Sequence, residues 1–253
     1  MPPYTLSKIW LTLMKFALNL CDWQARAPGL STRAQWLDWA RSHGHIDPTA
    51  AQEKPTALPM MTARRLSSGS RLAVECGLLM LREHAIDAVV YTSRHGELER
   101  NYRILEALAT AQPVSPTDFA LSVHNASVGN LTIVAKQQVV SSSLSAGRDT
   151  FQQGLLEVLS LLHAGHRRVL MVDFDGNLPP FYHPSLPAEM PTWAYCAAMV
   201  FEQGDALSCA TAPGGSPDED ALPQSLQFLR HYLNDESAFS IAGEVAQWRW
   251  SRA

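Results

Sequence analysis

The fold of this 253-residue chain is decided by one stretch, Val139-Val140-Ser141-Ser142-Ser143-Leu144-Ser145-Ala146-Gly147. Two β-branched valines followed by small residues are typical of a closely packed strand. Gly147 permits the tight turn that ends the strand. Asp149 then stands at the start of a segment with helical apolar spacing that reaches His163, so we expect it to cap a long helix. The stretch therefore predicts a strand, a glycine turn and a helix in succession.

Strand-like and helix-like patterns alternate along the rest of the chain. Before this stretch, the spacing of apolar residues predicts a strand over residues 14–21, helices after Ser31 and over Ser67–Glu83, a strand over Ala88–Thr92 and a helix over Glu97–Ala111. After it, the pattern predicts a strand over Val169–Phe174, a β-hairpin of Tyr195–Phe201 with Ala206–Ala212, and a helix around Leu222–Leu233. This order predicts an α/β fold whose mixed, largely parallel sheet is covered by helices.

The composition and charge of the chain narrow its possible functions. Apolar residues make up 46% of the chain and charged residues only 17%, which suits a globular protein with a large core or an extensive interface. A net charge of −4 gives no attraction to nucleic acid or to an anionic membrane. The four cysteines lie far apart among apolar neighbours, so we expect buried, reduced thiols and a cytoplasmic location. They are Cys21, Cys76, Cys196 and Cys209.

A short apolar run precedes the first predicted strand. Lys15 interrupts this run, and no small-residue cleavage site follows it. The sequence therefore predicts neither a membrane span nor a signal peptide here. We interpret residues 1–13 as an N-terminal extension.

An acidic motif at the end of a buried strand offers one enzymatic alternative. Asp173-Phe174-Asp175-Gly176-Asn177 resembles the signature of haloacid-dehalogenase phosphatases, in which the first aspartate is the nucleophile and the second a general acid. That chemistry also needs a downstream lysine and further carboxylates for magnesium. No lysine follows Asp173, and Asn177 replaces the usual threonine. The pattern favours a buried strand that ends in an acidic turn, and a phosphatase using Asp173 and Asp175 remains the alternative.

Two further patterns have simple structural interpretations. His163-Ala-Gly165-His166 is better explained as a helix end with a glycine cap than as a metal site, because no second ligand pair could complete it. The serines near Leu144 lack the G-x-S-x-G pattern of a hydrolase, although a stand-alone hydrolase using Ser145 stays open. We predict no metal and no cofactor.

The deciding stretch resembles the nucleophile segment of β-ketoacyl synthases. The helix that follows it contains Phe151, Gly154 and Leu155. In that family a strand of small residues runs into a Cys-Ala-x-Gly turn, and the cysteine lies at a helix N-terminus that favours the thiolate. Aligning the turn glycine with Gly147 places Leu144 at the position of the cysteine.

The resemblance extends over roughly residues 14–212. Ser122–Asn130 is similar to the Asn-x-x-x-Gly helix that precedes the nucleophile strand, and Arg64-Arg65-Leu66 is similar to the start of the second helix. Tyr195–Ala212 resembles the hairpin that closes the first half of the fold. The resemblance implies the N-terminal half of a thiolase-like fold, with a mixed five-stranded sheet and helices on both faces. Residues 213–253 would then be a C-terminal tail with a short helix.

The same resemblance implies an inert subunit. A decarboxylating ketosynthase needs its cysteine and two histidines, which lie in His-Gly-Thr-Gly and Asn-His motifs that this sequence lacks. Ketosynthase-like chains without the cysteine resemble chain length factors of type II polyketide synthases. Half-length versions with the Ala-Pro-Gly start (here Ala27-Pro28-Gly29) and a Ser-Val-His-Asn stretch are similar to those of bacterial aryl polyene clusters. The implied partner is a full-length β-ketoacyl synthase, in a heterodimer or a higher heterocomplex, with an acyl carrier protein involved indirectly.

The resemblance also implies which residues wall the partner's tunnel or form the interface. They are Phe119, Ser122, Val123, Asn125, Ala126, Gly129, Val139, Val140, Ser142, Ser143, Leu144, Ser145 and Gly147. No catalytic residue is expected among them. A structural interaction protein that never contacts the acyl chain is the remaining alternative.

Overall fold

The computed structural model describes residues 14–42, 44–216 and 218–253, so the predicted N-terminal extension lies outside the described residues. The strands are β1 (Lys15–Arg26), β2 (Ala88–Thr92), β3 (Val140–Leu144), β4 (Val169–Asp175), β5 (Tyr195–Pro213), β6 (Ala238–Ala242) and β7 (Ala246–Arg252). The helices are α1 (Arg33–Arg41), α2 (Met60–Ala63), α3 (Ser68–Glu83), α4 (Leu98–Ala109), α5 (Pro116–Ala120), α6 (Ala126–Ala135), α7 (Thr150–His163) and α8 (Gln224–Leu233). Short 3₁₀ turns cover Gly147–Asp149 and Pro180–Ser185.

The strands form one mixed sheet in the order β3-β2-β4-β5-β7-β6, and β1 also pairs with β5. β2 runs parallel to β3 and β4, whereas the pairings of β5 with β1, β4 and β7 and of β6 with β7 are antiparallel. The predicted α/β class with a mixed sheet is therefore confirmed. The predicted number of five strands is wrong, because the described part of the chain contributes seven.

The predicted hairpin of Tyr195–Ala212 is a single long strand, β5. Its pairing with β1 jumps from Asn19–Glu202 to Leu18–Leu207, so the four residues between Glu202 and Leu207 form a bulge. The side-chain oxygen Oδ1 of Asn19 accepts a hydrogen bond from the backbone N–H of Ala206 at 3.0 Å, which holds the bulge in place. A bulge bends a strand without reversing it, which explains why a glycine-containing polar segment resembled a turn.

The two strands that the sequence analysis missed lie beyond residue 212. The predicted helix there is confirmed as α8, and β6 and β7 follow it in the same sheet. β7 alternates buried Ala246, Trp248 and Trp250 with more exposed residues, which is the period of a strand with one face in the core. The domain boundary at residue 212 itself stays a prediction.

Helices cover both faces of the sheet, as predicted. Alternate residues of the central strands point to opposite sides. Val89 and Tyr91 belong to the core cluster that contains residues of α3 and α6, whereas Ala88 and Val90 belong to the cluster that contains residues of α1, α7 and α8. On the second face, the ring of Phe228 lies 5.5 Å from Phe151 and 4.9 Å from Trp250, measured between centroids. Aromatic side chains bury large areas, so this cluster joins α7, α8 and β7 into one core.

The thiols only partly match the sequence expectation. Cys76, Cys196 and Cys209 are buried and free, whereas Cys21 is free but exposed. Cys21 lies on β1, where successive side chains point to opposite faces. In the described residues, no helix is both long enough and apolar enough to cross a membrane.

Candidate functional site

The turn that carries Leu144 lies at the edge of the sheet, at the carboxyl end of β3. Leu144 is in register with Thr92 of the parallel strand β2. Gly147 adopts a φ of +59°, a backbone conformation that favours glycine. The hydroxyl of Thr150 accepts a hydrogen bond from Ala146 N at 3.0 Å and donates one to Gly147 O at 2.6 Å, which fastens the turn to the start of α7. The predicted strand, glycine turn and helix are all present.

Asp149 has a different role from the predicted one. It occupies the N-cap position of α7, but its side chain makes no capping hydrogen bond. Its carboxylate instead accepts hydrogen bonds from Gln224 Nε2 at 2.9 Å, Glu244 N at 3.1 Å and Trp248 Nε1 at 3.3 Å. Asp149 therefore anchors the C-terminal elements to the turn.

β3 is an edge strand, because within the described residues it pairs only with β2. Val140 is 52% exposed, Ser142, Ser143 and Leu144 are half-buried, and Ser145 is exposed. An edge strand presents unpaired backbone N–H and C=O groups that another chain can pair with. The remaining predicted residues of this segment are Val139, which is half-buried, and Gly147, which is exposed.

The second predicted segment, residues 119–129, presents a mixed surface. Phe119 is 70% exposed and Val123 is 52% exposed, and both are large apolar side chains. Ser122 and Gly129 are half-buried, Asn125 is exposed at the N-cap of α6, and Ala126 is buried. Ala126 therefore packs inside this chain, whereas Phe119 and Val123 face outward.

The two predicted segments meet at the loop that follows β2. The imidazole Nε2 of His124 lies 3.0 Å from the carbonyl oxygen of Ser93, and the hydroxyl of Ser145 donates to the carbonyl of Arg94 at 3.2 Å. Ser93 N also donates to Leu144 O at 3.2 Å. A hydroxyl that donates to a backbone carbonyl has no general base to activate it, so these contacts do not favour Ser145 as a nucleophile.

A buried pair of carboxyl groups lies beside this turn, at the end of β4. Asp173 accepts hydrogen bonds from Thr92 Oγ1 and Ser225 Oγ, both at 2.6 Å. Asp175 accepts hydrogen bonds from Ser93 Oγ at 2.6 Å and from the backbone N–H of His95 at 2.9 Å. Burial raises the pKa of Asp173 to about 7 and the pKa of Asp175 to about 6.

The charges around this pair do not suit a phosphatase. A cavity of about 50 Å³, enough for a few water molecules, lies beside the carboxyl groups and is also lined by Arg94 and Arg148. Arg94 is bound through two hydrogen bonds to Glu219, at 2.8 and 2.9 Å, and Arg148 is paired with Asp220 at 2.6 Å. Because carboxylates of the same chain already neutralise both guanidinium groups, this arrangement favours the structural interpretation of the acidic motif.

The structure also groups possible ligands that the sequence did not suggest. Asp22, Glu83 and His84 bring their side-chain ligand atoms within 4.8 Å of one another. Asp22 already contacts His84 Nε2 at 2.7 Å and pairs with Arg33, so the group is an ion-pair cluster. His163, from the predicted helix end, lies in the last turn of α7, with its Nδ1 atom 2.8 Å from Leu159 O.

Comparisons with known proteins agree with this geometry. The family model described as the N-terminal domain of β-ketoacyl synthases matches residues 36–251. The chain belongs to the β-ketoacyl synthase family. No curated protein matched the chain.

Solved structures with this fold include ketosynthase complexes. The chain is 57% identical, with a TM-score of 0.91, to a chain in the structure of a ketosynthase (ApeO) in complex with its chain length factor (ApeC) from Xenorhabdus doucetiae. The match covers 94% of this chain and 100% of that chain. The predicted family and the thiolase-like fold are thereby confirmed.

Two more distant structures show the fold alone. One is the ishigamide ketosynthase/chain length factor, with 14% identity, a TM-score of 0.71, and coverage of 93% of this chain and 98% of that chain. The other is a type II polyketide synthase acyl-carrier protein in complex with its ketosynthase, AntDE:AntF, with 11% identity and a TM-score of 0.61. That match covers 95% of this chain and 100% of that chain.

Proposed function

We propose that this chain is the chain length factor of a type II polyketide synthase of the aryl polyene kind. It pairs with a full-length β-ketoacyl synthase and completes the tunnel that holds the growing, fatty-acid-like acyl chain. The observation that carries the proposal is Leu144, which stands at the end of β3 where the family resemblance places the nucleophilic cysteine. The 57% identity to a chain of a ketosynthase–chain length factor complex supports it.

Catalytic inertness follows from the chemistry of the site. A leucine side chain has no atom that can accept an acyl group, and the histidine motifs that stabilise the developing negative charge do not occur in the sequence. The neighbouring carboxyl groups of Asp173 and Asp175 are 3% and 6% exposed and accept hydrogen bonds from hydroxyl groups of the same chain. The proposed role is therefore to bind the ketosynthase and to shape its acyl tunnel, without taking part in the reaction.

The surface around β3 supports a pairing role. Besides Val140, the exposed large apolar side chains include Phe119 and Val123 of the predicted segment and Ile133 of α6, which is 74% exposed. An exposed strand edge accompanied by such side chains is typical of a protein–protein interface. A ketosynthase of the same fold would supply the matching strand edge, and the acyl carrier protein would reach the complex through that partner.

The proposed tunnel wall consists of Phe119, Ser122, Val123 and Ala126. Phe119 and Val123 point away from this chain, which suits a wall that borders a partner's cavity. Ala126 is buried, so its contribution would pass through the packing of α6. We also infer a cytoplasmic location, for which the free thiols are the support.

Reconstitution with a ketosynthase encoded beside this chain tests the proposal. The two proteins should co-elute in size-exclusion chromatography, and the complex should elongate a carrier-bound acyl chain while this chain alone does not. Leu144→Cys should leave the isolated chain inactive, because the histidine pair is still missing. Condensing activity of the isolated wild-type chain, lost on changing Asp173 or Ser145, would instead show a stand-alone enzyme. If the complex is stable and the length of its products is the same in every Phe119 and Val123 variant, this chain is a purely structural partner.

A further inference from the structure

α4 exposes two leucines and buries an arginine, the reverse of an ordinary surface helix. Leu105 and Leu108 are 55% and 62% exposed, whereas Arg100 of the same helix is 3% exposed and is the one buried residue of α4. A helix on a globular core normally buries its apolar stripe and exposes its charges. The other apolar residues of α4 are at most half-buried, so the contacts of its charged side chains contribute strongly to how it is held.

The guanidinium group of Arg100 lies at the centre of these contacts. Its Nε atom is 3.0 Å from Glu97 Oε2, and its Nη1 atom is 2.7 Å from Asp118 Oδ1 on α5. Its third nitrogen donates to the backbone carbonyl of Arg65. All three nitrogens of the planar group thus donate hydrogen bonds, which fixes the orientation of the group.

Glu97 connects this group to the rest of the fold. Its side chain is 3% exposed and accepts a hydrogen bond from the hydroxyl of Ser70 on α3. The hydroxyl of Ser70 is in turn 2.5 Å from the hydroxyl of Ser127 on α6. The polar network therefore runs from α3 and α6 through Glu97 and Arg100 to α5.

Asp118 is the end of the network and the attachment point of α5. Besides Arg100, it binds Arg103 through both carboxylate oxygens, at 2.6 and 3.2 Å, and these hydrogen bonds hold the pKa of Asp118 below its usual value. α5 has five residues and none of them is buried. Ion pairs, rather than apolar packing, thus attach this short helix to the fold. Phe119 is the next residue after Asp118.

We propose that Arg100 and Asp118 are positioning residues that fix the direction of Phe119 and thereby tune the length of the acyl chain that the complex makes. This inference rests on the proposed function, in which Phe119 walls the tunnel of the partner. The polar network acts through Phe119 and touches no substrate. Its contribution should therefore disappear when the phenyl ring is absent.

A double-mutant cycle on product length tests this role. Asp118→Asn, Phe119→Ala and the double variant are each assembled with the ketosynthase, and the ratio of longer to shorter products is measured. Phe119→Ala should change this ratio by roughly tenfold, because one altered contact in an apolar pocket discriminates by about that factor. Asp118→Asn should change it less but in the same direction, and the double variant should match Phe119→Ala alone.

Asp220→Asn is the matched control. Asp220 also pairs with a buried arginine, Arg148, which is 8% exposed, but it lies on the loop before α8. The Asp220→Asn complex should keep the wild-type product ratio. Size-exclusion chromatography of every variant confirms that the complex is intact before products are compared.

The outcomes separate this inference from the proposed function. Wild-type products from Asp118→Asn, or a double variant whose change equals the product of both single changes, would overturn the positioning role while Phe119 keeps its own. Wild-type products from both single variants would remove Phe119 from the tunnel and with it the proposed wall. If Asp118→Asn fails to assemble, Asp118→Glu replaces it, because the longer side chain keeps the charge but shifts the carboxylate that Arg100 binds. A wild-type product ratio in that variant would equally overturn the positioning role.

Discussion

Two edge strands of the sheet, β6 and β3, differ in how their side chains are covered, while β1, which pairs with β5, is a third edge strand of the described residues. At the β6 edge, the chain supplies its own cover: Phe239 and Ile241 point into the core, and Trp248 and Trp250 of the adjacent strand are 3% and 2% exposed. At the β3 edge, Val140 stays 52% exposed and small serines follow it. The chain therefore completes its core on one side and leaves the other side open. From this difference we expect the partner to bind at the β3 edge.

Removing a central aromatic residue from the closed side should have the largest effect on stability. Trp250→Ala takes away the ring that contacts Phe228 at 4.9 Å and Phe16 at 5.7 Å. The free energy of unfolding, measured by urea denaturation, should fall by about 3–5 kcal/mol because a buried cavity remains. Val245→Ala, at an exposed position between β6 and β7, should leave it nearly unchanged. A loss below about 1 kcal/mol for Trp250→Ala would contradict the closed core described for this edge.

The buried carboxyl pair should make the stability of the chain sensitive to pH. Asp173 receives a hydrogen bond from Ser225 of α8, and its pKa of about 7 and that of Asp175, about 6, lie above their usual values. Between about pH 4 and 7 the folded chain then holds more protons than the unfolded chain, so stability falls as the pH rises. Each pKa unit corresponds to about 1.4 kcal/mol, so the dependence is large enough to measure by denaturation.

Urea denaturation at pH 5 and pH 8 measures this dependence. The wild type should be less stable at pH 8, and Asp173→Asn should reduce the difference between the two values. Asp118→Asn should not reduce it, because the pKa of Asp118 is lowered and its effect falls at more acidic pH. Equal wild-type stability at both values would show that the buried pair does not titrate in this window.

A charge at the open edge should weaken pairing without unfolding the chain. Val140→Asp places a carboxylate on the proposed interface, and the affinity for the ketosynthase should drop by about 2 kcal/mol, the effect typical of a central interface residue. Val245→Asp changes a similarly exposed valine, 69% exposed, beyond the other edge. Calorimetric titration of each variant with the ketosynthase measures its affinity, which should fall for Val140→Asp and stay unchanged for Val245→Asp. Equal affinities for Val140→Asp and the wild type would remove β3 from the interface.

The anchor between the glycine turn and the C-terminal elements should have the smallest effect. Asp149→Asn keeps the shape of the side chain but weakens hydrogen bonds to Gln224, Glu244 and Trp248. The expected loss in unfolding free energy is about 1 kcal/mol, the usual net contribution of one hydrogen bond, because the amide keeps one accepting oxygen. Partner affinity should not change. A larger loss of affinity than of stability would place the anchor at the interface.

The sequence predicted the elements whose patterns are local. The apolar runs of Ala88–Thr92 and Val169–Phe174 became β2 and β4, and the glycine turn leads into α7 at the predicted place. The bulge in β5 was mistaken for a turn, because its hydrogen bond to Asn19 joins residues that are far apart in sequence. The alternation of Ala246, Trp248 and Trp250 is a local signal from which β7 could be predicted.

The candidate site was less predictable than the fold. Leu144 and Gly147 could be placed from the turn alone, but the exposure of Phe119 depends on how α5 is held. That attachment comes from Arg100 and Asp118, which are 18 residues apart in sequence and meet only in the folded chain. Charged residues in a helix usually indicate a solvent-facing surface, so the sequence alone gave no sign that Arg100 is buried.

Hydrogen–deuterium exchange of the chain, alone and bound to its ketosynthase, tests the contrast between the β3 and β6 edges most directly. The backbone amides of Val140–Leu144 should exchange more slowly in the complex, because an edge strand gains hydrogen bonds when it pairs with another chain. The amides of Ala238–Ala242 should exchange at the same rate in both states. Unchanged exchange in β3, or new protection confined to β6, would contradict the account.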